Sequence, residues 1–532
     1  MFTFTLKHSN IMNHLITTLL CMALFVTASF SQHTNIMIDD EGSWIEPEEP
    51  TIIINPKNTD HMVAGANIDN VYYSTDGGYT WNHEVLTSTY GVWGDPVVIV
   101  DTAGAYYFFH LSNPPQGSWI DRIVCQKKDS IGGSWSSGNY MGLNPGKEQD
   151  KEWAVVDRTN NNIYVTWTQF DDYGSLNPDD KSDIMFSRSL DGGATWSDAL
   201  RINEVSGDCV DDDNTVEGAV PAVGPNGEIY VAWAGPLGLV FDRSTDGGDT
   251  WLDEDIYIGP NPGGWAYDIP GISRCNGLPV TKCDLSGGPH HGTIYVNWSD
   301  QRNGEDDTDI WLSKSTDGGD TWSEAIRVND DPPGKHQFFT WMDVDQVTGH
   351  LWFVFYDRRN YNDNNTDLYM AVSKDGGESF INFRVSESPF YPFSTTFFGD
   401  YTNVSAYDNV VRPVWARLEG SDLSVWTAIV DPFIVGLEEE IPSLLSLGQN
   451  YPNPFSESTV ISFVLTRRAR VSLRVHDMYG RTVAVIHDRE TVQAGKHTRI
   501  FDPGQYNLAP AAYYFSLESG KASVKRKMIF VR

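Results

Sequence analysis

Basic residues are scarce in this chain: 37 Lys and Arg stand against 72 Asp and Glu, a formal net charge of −35. Such a surface repels phosphate backbones and anionic headgroups, which excludes nucleic acid as a partner. Helical periodicity is lacking as well. Apolar residues come in short runs divided by 47 Gly and 27 Pro, a pattern that predicts an all-β, turn-rich fold. The one long apolar run, Ile16 to Ala28, is shorter than the roughly 20 residues of a membrane span. With Lys7 before it and Ser29 and Ser31 after it, it reads as a secretory signal over residues 1–31. Cysteine is sparse. Beyond Cys21 in that signal there are Cys125, Cys209, Cys275 and Cys283, an even number that suits an oxidising compartment, and the close spacing of Cys275 and Cys283 predicts a disulfide stapling one loop. A Gly-rich phosphate loop, a G-x-S-x-G elbow and H-E-x-x-H are all missing.

What recurs instead is an octapeptide: STDGGYTW from Ser74, SLDGGATW from Ser189, STDGGDTW from Ser244 and from Ser315, and SKDGGESF from Ser373, with a degenerate copy at Asp129. Each reads as a tight turn between two strands. The aspartate accepts turn amides, Gly-Gly permits positive φ, and the final ring packs back between sheets. Asp76, Asp191, Asp246, Asp317 and Asp375 are therefore expected to be structural. Two apolar strands precede each turn and a third leads into it, as in GEIYVAW from Gly227 and GTIYVNW from Gly292. First strands are expected near Pro50, Pro96, Trp153, Ala219, Leu278, Trp341 and Tyr401. These predict a seven-bladed propeller over residues 32–435 whose last blade lacks the octapeptide; six blades plus a capping sheet is the alternative.

The octapeptides resemble the Asp-box, or bacterial neuraminidase repeat, of the sialidase superfamily, and the resemblance covers about residues 45 to 435. It implies a β-propeller and, by family, a glycan ligand. Catalytic sialidases have six blades and an R-I-P motif; here the nearest string is DIPG at Asp268, so the family's three-arginine clamp does not carry over.

An acidic linker, 436–446, precedes a module of opposite charge: from Ile441 onward there are 13 Lys and Arg against 6 Asp and Glu. Its alternating strands predict a small β-sandwich over 447–532. Y-P-N-P-F at Tyr451 to Phe455, D-M-Y-G-R at Asp477 to Arg481 and the Lys-rich last strand resemble the C-terminal sorting domain of the type IX secretion system. That resemblance implies the secretion machinery as a partner, and delivery outside the cell or to its outer surface by way of the periplasm.

In a propeller blade the octapeptide turn and the start of the first strand lie at opposite ends, so function is expected at the first-strand end. EPEEPTI, WGDPVVI, QDKEWAV, TVEGAVP and FFGDYTN place Glu49, Asp95 and Asp400 in one column, with Lys151, Glu152 and Glu217 in or beside it. Crowded carboxyls of this kind allow one to stay protonated while another ionises, as glycoside hydrolysis requires. Asp95, Glu152, Glu217 and Asp400 are the acid/base candidates, and Glu49 and Lys151 are expected to bind substrate. Sialidases carry F-A-E-x-R where this chain has NWSDQRNG and FYDRRNY; by that resemblance Arg302 and Arg358 or Arg359 contact the ligand. Trp153, Trp341 and Tyr401, with Trp93, Phe338, Phe339, Phe397 and Phe398, supply rings that could stack on sugars. Acidic loops such as DDYGSLNPDDKSD and CVDDDN offer oxygen ligands for calcium, though without the EF-hand spacing. The reading favours a sialidase-like glycoside hydrolase acting on an extracellular glycan. Its alternatives are a non-catalytic glycan-binding propeller and a polysaccharide lyase using Tyr401 or His336 as base.

Overall fold

The computed structural model describes residues 33–39, 47–397, 399–420, 422–432 and 445–531, apart from 466, 467, 479, 494, 520 and 521. The expected signal segment, most of the linker and Phe398 lie outside them. The chain divides after Pro432 into two units.

The first unit is all-β. Its strands form four-stranded antiparallel sheets, all but one built from consecutive strands, and a two-stranded sheet in which Ala266–Tyr267 pairs with Cys275–Asn276. The first strands of six are Thr51–Ile54, Val97–Val100, Glu148–Val156, Glu217–Val223, Val280–Cys283 and Gln337–Val344. The seventh sheet begins with Asn403–Tyr407, and its outer strand is Thr34–Met37, which pairs with Asp422–Ile429. These first strands adjoin one another in sequence order, and Asn403–Tyr407 lies against Thr51–Ile54, so the ring closes.

Burial follows from this stacking. Second strands are covered on both faces by neighbouring sheets, so Tyr106–Leu111, Ile163–Phe170 and Leu351–Asp357 are buried at every position instead of alternating. Outer strands such as Leu200–Arg201 face water. The core lies between sheets. Ile52, Ala64 and Tyr72 of the first sheet pack with Val414 and Val425 of the last, and Tyr164 and Phe186 pack with Ile229 and Val231 one sheet on.

Each octapeptide spans the turn from third to fourth strand. Ser74 Oγ donates to Asp76 Oδ1 (2.8 Å) and accepts from Gly78 N–H (2.9 Å), while Asp76 accepts from Thr80 N–H (2.9 Å) and Oγ–H (2.7 Å). The bonds around Asp191, Asp246, Asp317 and Asp375 repeat this set. These amide and hydroxyl donors hold Asp246, Asp317 and Asp375 down to about 2. Trp196, Trp251 and Trp322 pack edge-on against Phe109, Phe186 and Phe241 of the preceding sheet.

The sequence reading missed a second element of the motif. Arg188, Arg243 and Lys314, each immediately before a box serine, donate to the Gly247, Gly318 and Gly376 carbonyls of the next sheet's box. Before the last box that place is held by Val372, and the following sheet has no box to receive a bond. Arg412 of the last sheet donates to the Gly77 carbonyl of the first (2.6 Å), tying the ring shut.

Cys125, Cys209, Cys275 and Cys283 are all buried and free, so the expected Cys275–Cys283 disulfide is corrected. The segment between them comprises two strands, Cys275–Asn276 and Val280–Cys283, separated by Gly277, Leu278 and Pro279. Cys275 pairs with Tyr267 in a two-stranded sheet, whereas Cys283 pairs with Ile294 in a four-stranded one, so the two thiols belong to different sheets.

In the second unit, Leu445–Leu447, Thr459–Leu465 and Gly495–Phe501 form one sheet. Ala469–His476, Thr482–Val492, Ala511–Ser519 and Ala522–Phe530 form another. Phe455, Ile461, Phe463, Val471, Leu473, Phe515 and Met528 share a single core.

Candidate active site

The starts of the first strands share a backbone device. Glu49, Asp95, Lys151 and Phe339 have φ of 54°, 51°, 52° and 50°, and Gly218 and Gly399 hold corresponding places at 78° and 86°. The strand registers shift between Asp150 and Trp153, Glu217 and Val220, and Phe338 and Trp341, which marks a bulge at these starts. Non-glycine residues in this region cost about 1–3 kcal/mol each, a strain concentrated at functional sites. The bulge also redraws the expected column. Glu49, Asp95 and Lys151 are equivalent, whereas Asp400 follows its left-handed Gly399 and Glu217 precedes its left-handed Gly218.

The ring brings Glu49, Asp95, Lys151, Glu152, Glu217 and Asp400 together, and adds Asp150, Asp211 and Arg274. Lys151 Nζ lies 2.7 Å from Asp400 Oδ2 and 3.9 Å from Asp95 Oδ2. Arg274 donates from Nε to Asp400 Oδ1 (3.0 Å), from Nη2 to Asp400 Oδ2, and from Nη1 to Asp211 Oδ2 (2.8 Å). Tyr173 Oη–H also donates to Asp211 (2.6 Å), and Asn276 holds the Asp400 carbonyl (2.9 Å). Asn67 bridges two neighbours, donating to Glu49 and accepting from Asp95 N–H (2.8 Å).

The carboxyls divide by environment. Burial acts against ionised Asp400, but Lys151 and Arg274 outweigh it and hold this carboxyl well below the usual range. Burial likewise disfavours charged Lys151, and Asp400 outweighs it, so the ammonium keeps its proton. Asp95 is pushed up to about 8 by burial and then by Glu49; Asp150 rises to about 8 by burial and by Asp95. Burial raises Glu49, and raises Glu152 and Glu217 well above the usual range. Glu152 and Glu217 are sealed in, their oxygens without hydrogen-bond partners among the described residues.

Trp153, Trp341 and Tyr401 do not offer open faces. Their ring centroids lie 4.3, 5.1 and 6.1 Å apart, and they plug the ring beside a cavity of about 20 Å³, roughly one water's worth. Phe338 and Phe339 are buried too. Among the described residues of this face, open rings include Trp93 and Trp119, 39% and 40% exposed, and Phe397 under Arg274. Trp93 meets Trp119 edge-on at 6.1 Å, and Trp119 meets Tyr173 at 5.7 Å. This line of rings runs through the Tyr173–Asp211 bond to Arg274.

The expected arginine contacts go inward. Arg302 grips Asp300 (2.6 Å) and covers Trp311, and Arg359 pairs with Asp357 (2.8 Å) and Asp330 (2.5 Å). Arg358 is 3% exposed and donates to Thr366 and to the Pro270 carbonyl. His336, buried and bonded to Thr308, is lowered to about 4 by burial and by Arg358. Among the described residues no group of three or more His, Cys, Asp or Glu is placed to hold a metal ion; Asp211 of the CVDDDN loop is engaged by Arg274 instead.

No family model and no curated protein matches the chain. Among solved structures it is similar to the Hadza microbial sialidase Hz136, at 13% identity and TM-score 0.41 over 72% of this chain and 75% of that one. It is similar to the NanB sialidase of Streptococcus pneumoniae, at 8% and 0.42 over 76% and 99%, and to a PL25 ulvan lyase, at 12% and 0.45 over 75% and 96%.

Proposed function

We propose that residues 32–435 are a seven-bladed propeller that hydrolyses an extracellular glycan at the first-strand end of its ring. In the same reading, residues 1–31 are a secretory signal and 447–532 a type IX sorting sandwich. The observation that supports hydrolysis is the opposed pair around Lys151: Asp95, protonated at neutral pH, and Asp400, ionised. Environments that drive two carboxyls apart in this way are how glycosidases separate acid from anion. Asp95 is the proton donor to the leaving oxygen. Asp400, locked between Lys151 and Arg274, is a positioning and electrostatic group, and Trp93, Trp119 and Tyr173 carry the sugar faces. The test is a polysaccharide panel scored for new reducing ends with wild-type protein and Asp95→Asn. Turnover that the substitution abolishes supports the assignment; turnover that survives it removes Asp95 from the mechanism.

One observation favours binding without chemistry as the second reading. Glu152 and Glu217 are closed off beside the Trp153–Trp341–Tyr401 plug, leaving few carboxyls within reach of a substrate. Retention of glycans without any product would select it.

A further inference from the structure

We infer that the glycan taken by this face is uncharged, and that uronate, sialate or sulfate groups are excluded because, among the described residues, each cation near the centre is already paired with or buried against the protein's own groups. The inference rests on the glycan reading above and concerns which class of glycan the site accepts.

Strong recognition of a sugar carboxylate or sulfate in a poorly solvated site needs a guanidinium or ammonium whose charge is not already matched. Lys151 is buried against Asp400, with Asp95 also in reach. Arg274 is the cation nearest solvent at the centre, its side chain 35% exposed, and three of its five N–H groups donate to Asp400 and Asp211, so two carboxylates face its single charge. A ligand cannot readily displace those carboxylates. Asp211 is also held by Tyr173, and Asp400 by Lys151. Arg302 and Arg359 are turned onto Asp300 and Asp357. Arg358 has one nitrogen without a hydrogen-bond partner, but that nitrogen is buried and the guanidinium is covered by Phe338.

The centre is thus balanced, two cations against Asp400 and Asp211, inside a strongly acidic chain. A further anion would enter with no counter-charge in a poorly solvated site. The hydroxyl groups of a neutral sugar bring no net charge to a centre whose charges are already paired.

The experiment measures binding of the full chain to neutral polysaccharides (a β-glucan, a xyloglucan, a galactomannan) and to anionic ones (alginate, polygalacturonate, a sulfated galactan), at low and high salt. The expected result is retention of at least one neutral polymer, insensitive to salt, with anionic polymers bound at least about tenfold more weakly. Asp211→Asn removes one of the two carboxylate charges that face Arg274 and is expected to add salt-sensitive affinity for the anionic set. Anionic polymers bound as well as neutral ones by wild type would overturn the inference and leave the glycan reading standing. Binding of neither set would overturn the glycan reading itself, and the inference with it. Neutral binding with no anionic gain in Asp211→Asn would refute Arg274 as the source of the exclusion; the salt dependence of the wild type decides independently should that variant fail to fold.

Discussion

Asp400→Asn removes the carboxylate that two cations share. A ring of crowded carboxylates, the picture drawn from sequence alone, gives this substitution a neutral or stabilising sign. The structure gives the opposite one. Lys151, 6% exposed at its side chain, keeps Nζ 2.7 Å from Asp400, and stripping one partner from a buried pair costs about 3–5 kcal/mol. Part of that is recoverable, because Asp95 lies 3.9 Å from the same nitrogen and can ionise in Asp400's place. Its carboxyl is pushed up to about 8 by burial and by Glu49, so ionising it at pH 7 costs on the order of 1 kcal/mol. The expected net loss is about 2–4 kcal/mol at neutral pH, shrinking above pH 8 where Asp95 is ionised without cost. Urea titrations at pH 6 and pH 9 read this as a lower midpoint at unchanged slope, with the larger drop at pH 6. A variant as stable as wild type at pH 6, or more stable, refutes Asp400 as the counter-ion of Lys151.

Asp95 and Asp150 titrate near 8 when folded against ordinary values of 3.8, so the folded state binds more protons than the unfolded one between those limits. Stability from these groups is fully present below about pH 4 and is lost as pH rises toward 8; Asp95→Asn is expected to flatten this decline in a melting series, and an unchanged decline counts against buried protonation. Asp246→Ala, at the opposite end of the ring, deletes a turn acceptor and should lower stability by roughly 1–2 kcal/mol, with glycan affinity of the folded fraction intact in a binding assay. Deleting residues 34–37 strips the outer strand from the last sheet and should lower the melting temperature by well over the effect of Asp246→Ala; equal melting would refute ring closure by that strand. Alkylation of unfolded, unreduced protein should label Cys125, Cys209, Cys275 and Cys283 alike, and a Cys275–Cys283 cross-linked peptide in the mass spectrum would refute the free thiols.

The turns were legible because their chemistry is local: Ser, Asp, Gly-Gly and Thr of one octapeptide make nearly all the bonds of the box. The cation before three of the box serines was equally visible as S-R-S, D-R-S and S-K-S, but its partner lies in the next sheet, a relation that one repeat cannot disclose. Closure by Thr34–Met37 was hidden, since four residues carry too little pattern to name a partner nearly the whole unit away. It also explains why the last sheet has no box: its third strand is not followed by its fourth. At the site, carboxylates at first-strand starts were readable, whereas their offset came from left-handed backbone at Lys151 and Gly399 that composition does not encode. Arg274 was overlooked in a loop read as stapled by cysteine, and Asp211 in a loop read for calcium. Buried Trp153, Trp341 and Tyr401 and exposed Trp93 and Trp119 looked alike in sequence because ring burial depends on neighbours in three dimensions.

The most direct test of which end of the ring is functional compares Trp119→Ala with Asp246→Ala in glycan binding per folded molecule, using a polysaccharide that the wild type retains. Loss of an exposed stacking ring is expected to weaken binding by about tenfold or more at an unchanged melting temperature, while Asp246→Ala binds as wild type does. Full affinity in Trp119→Ala together with lost affinity in Asp246→Ala would place the site at the box end and contradict the assignment.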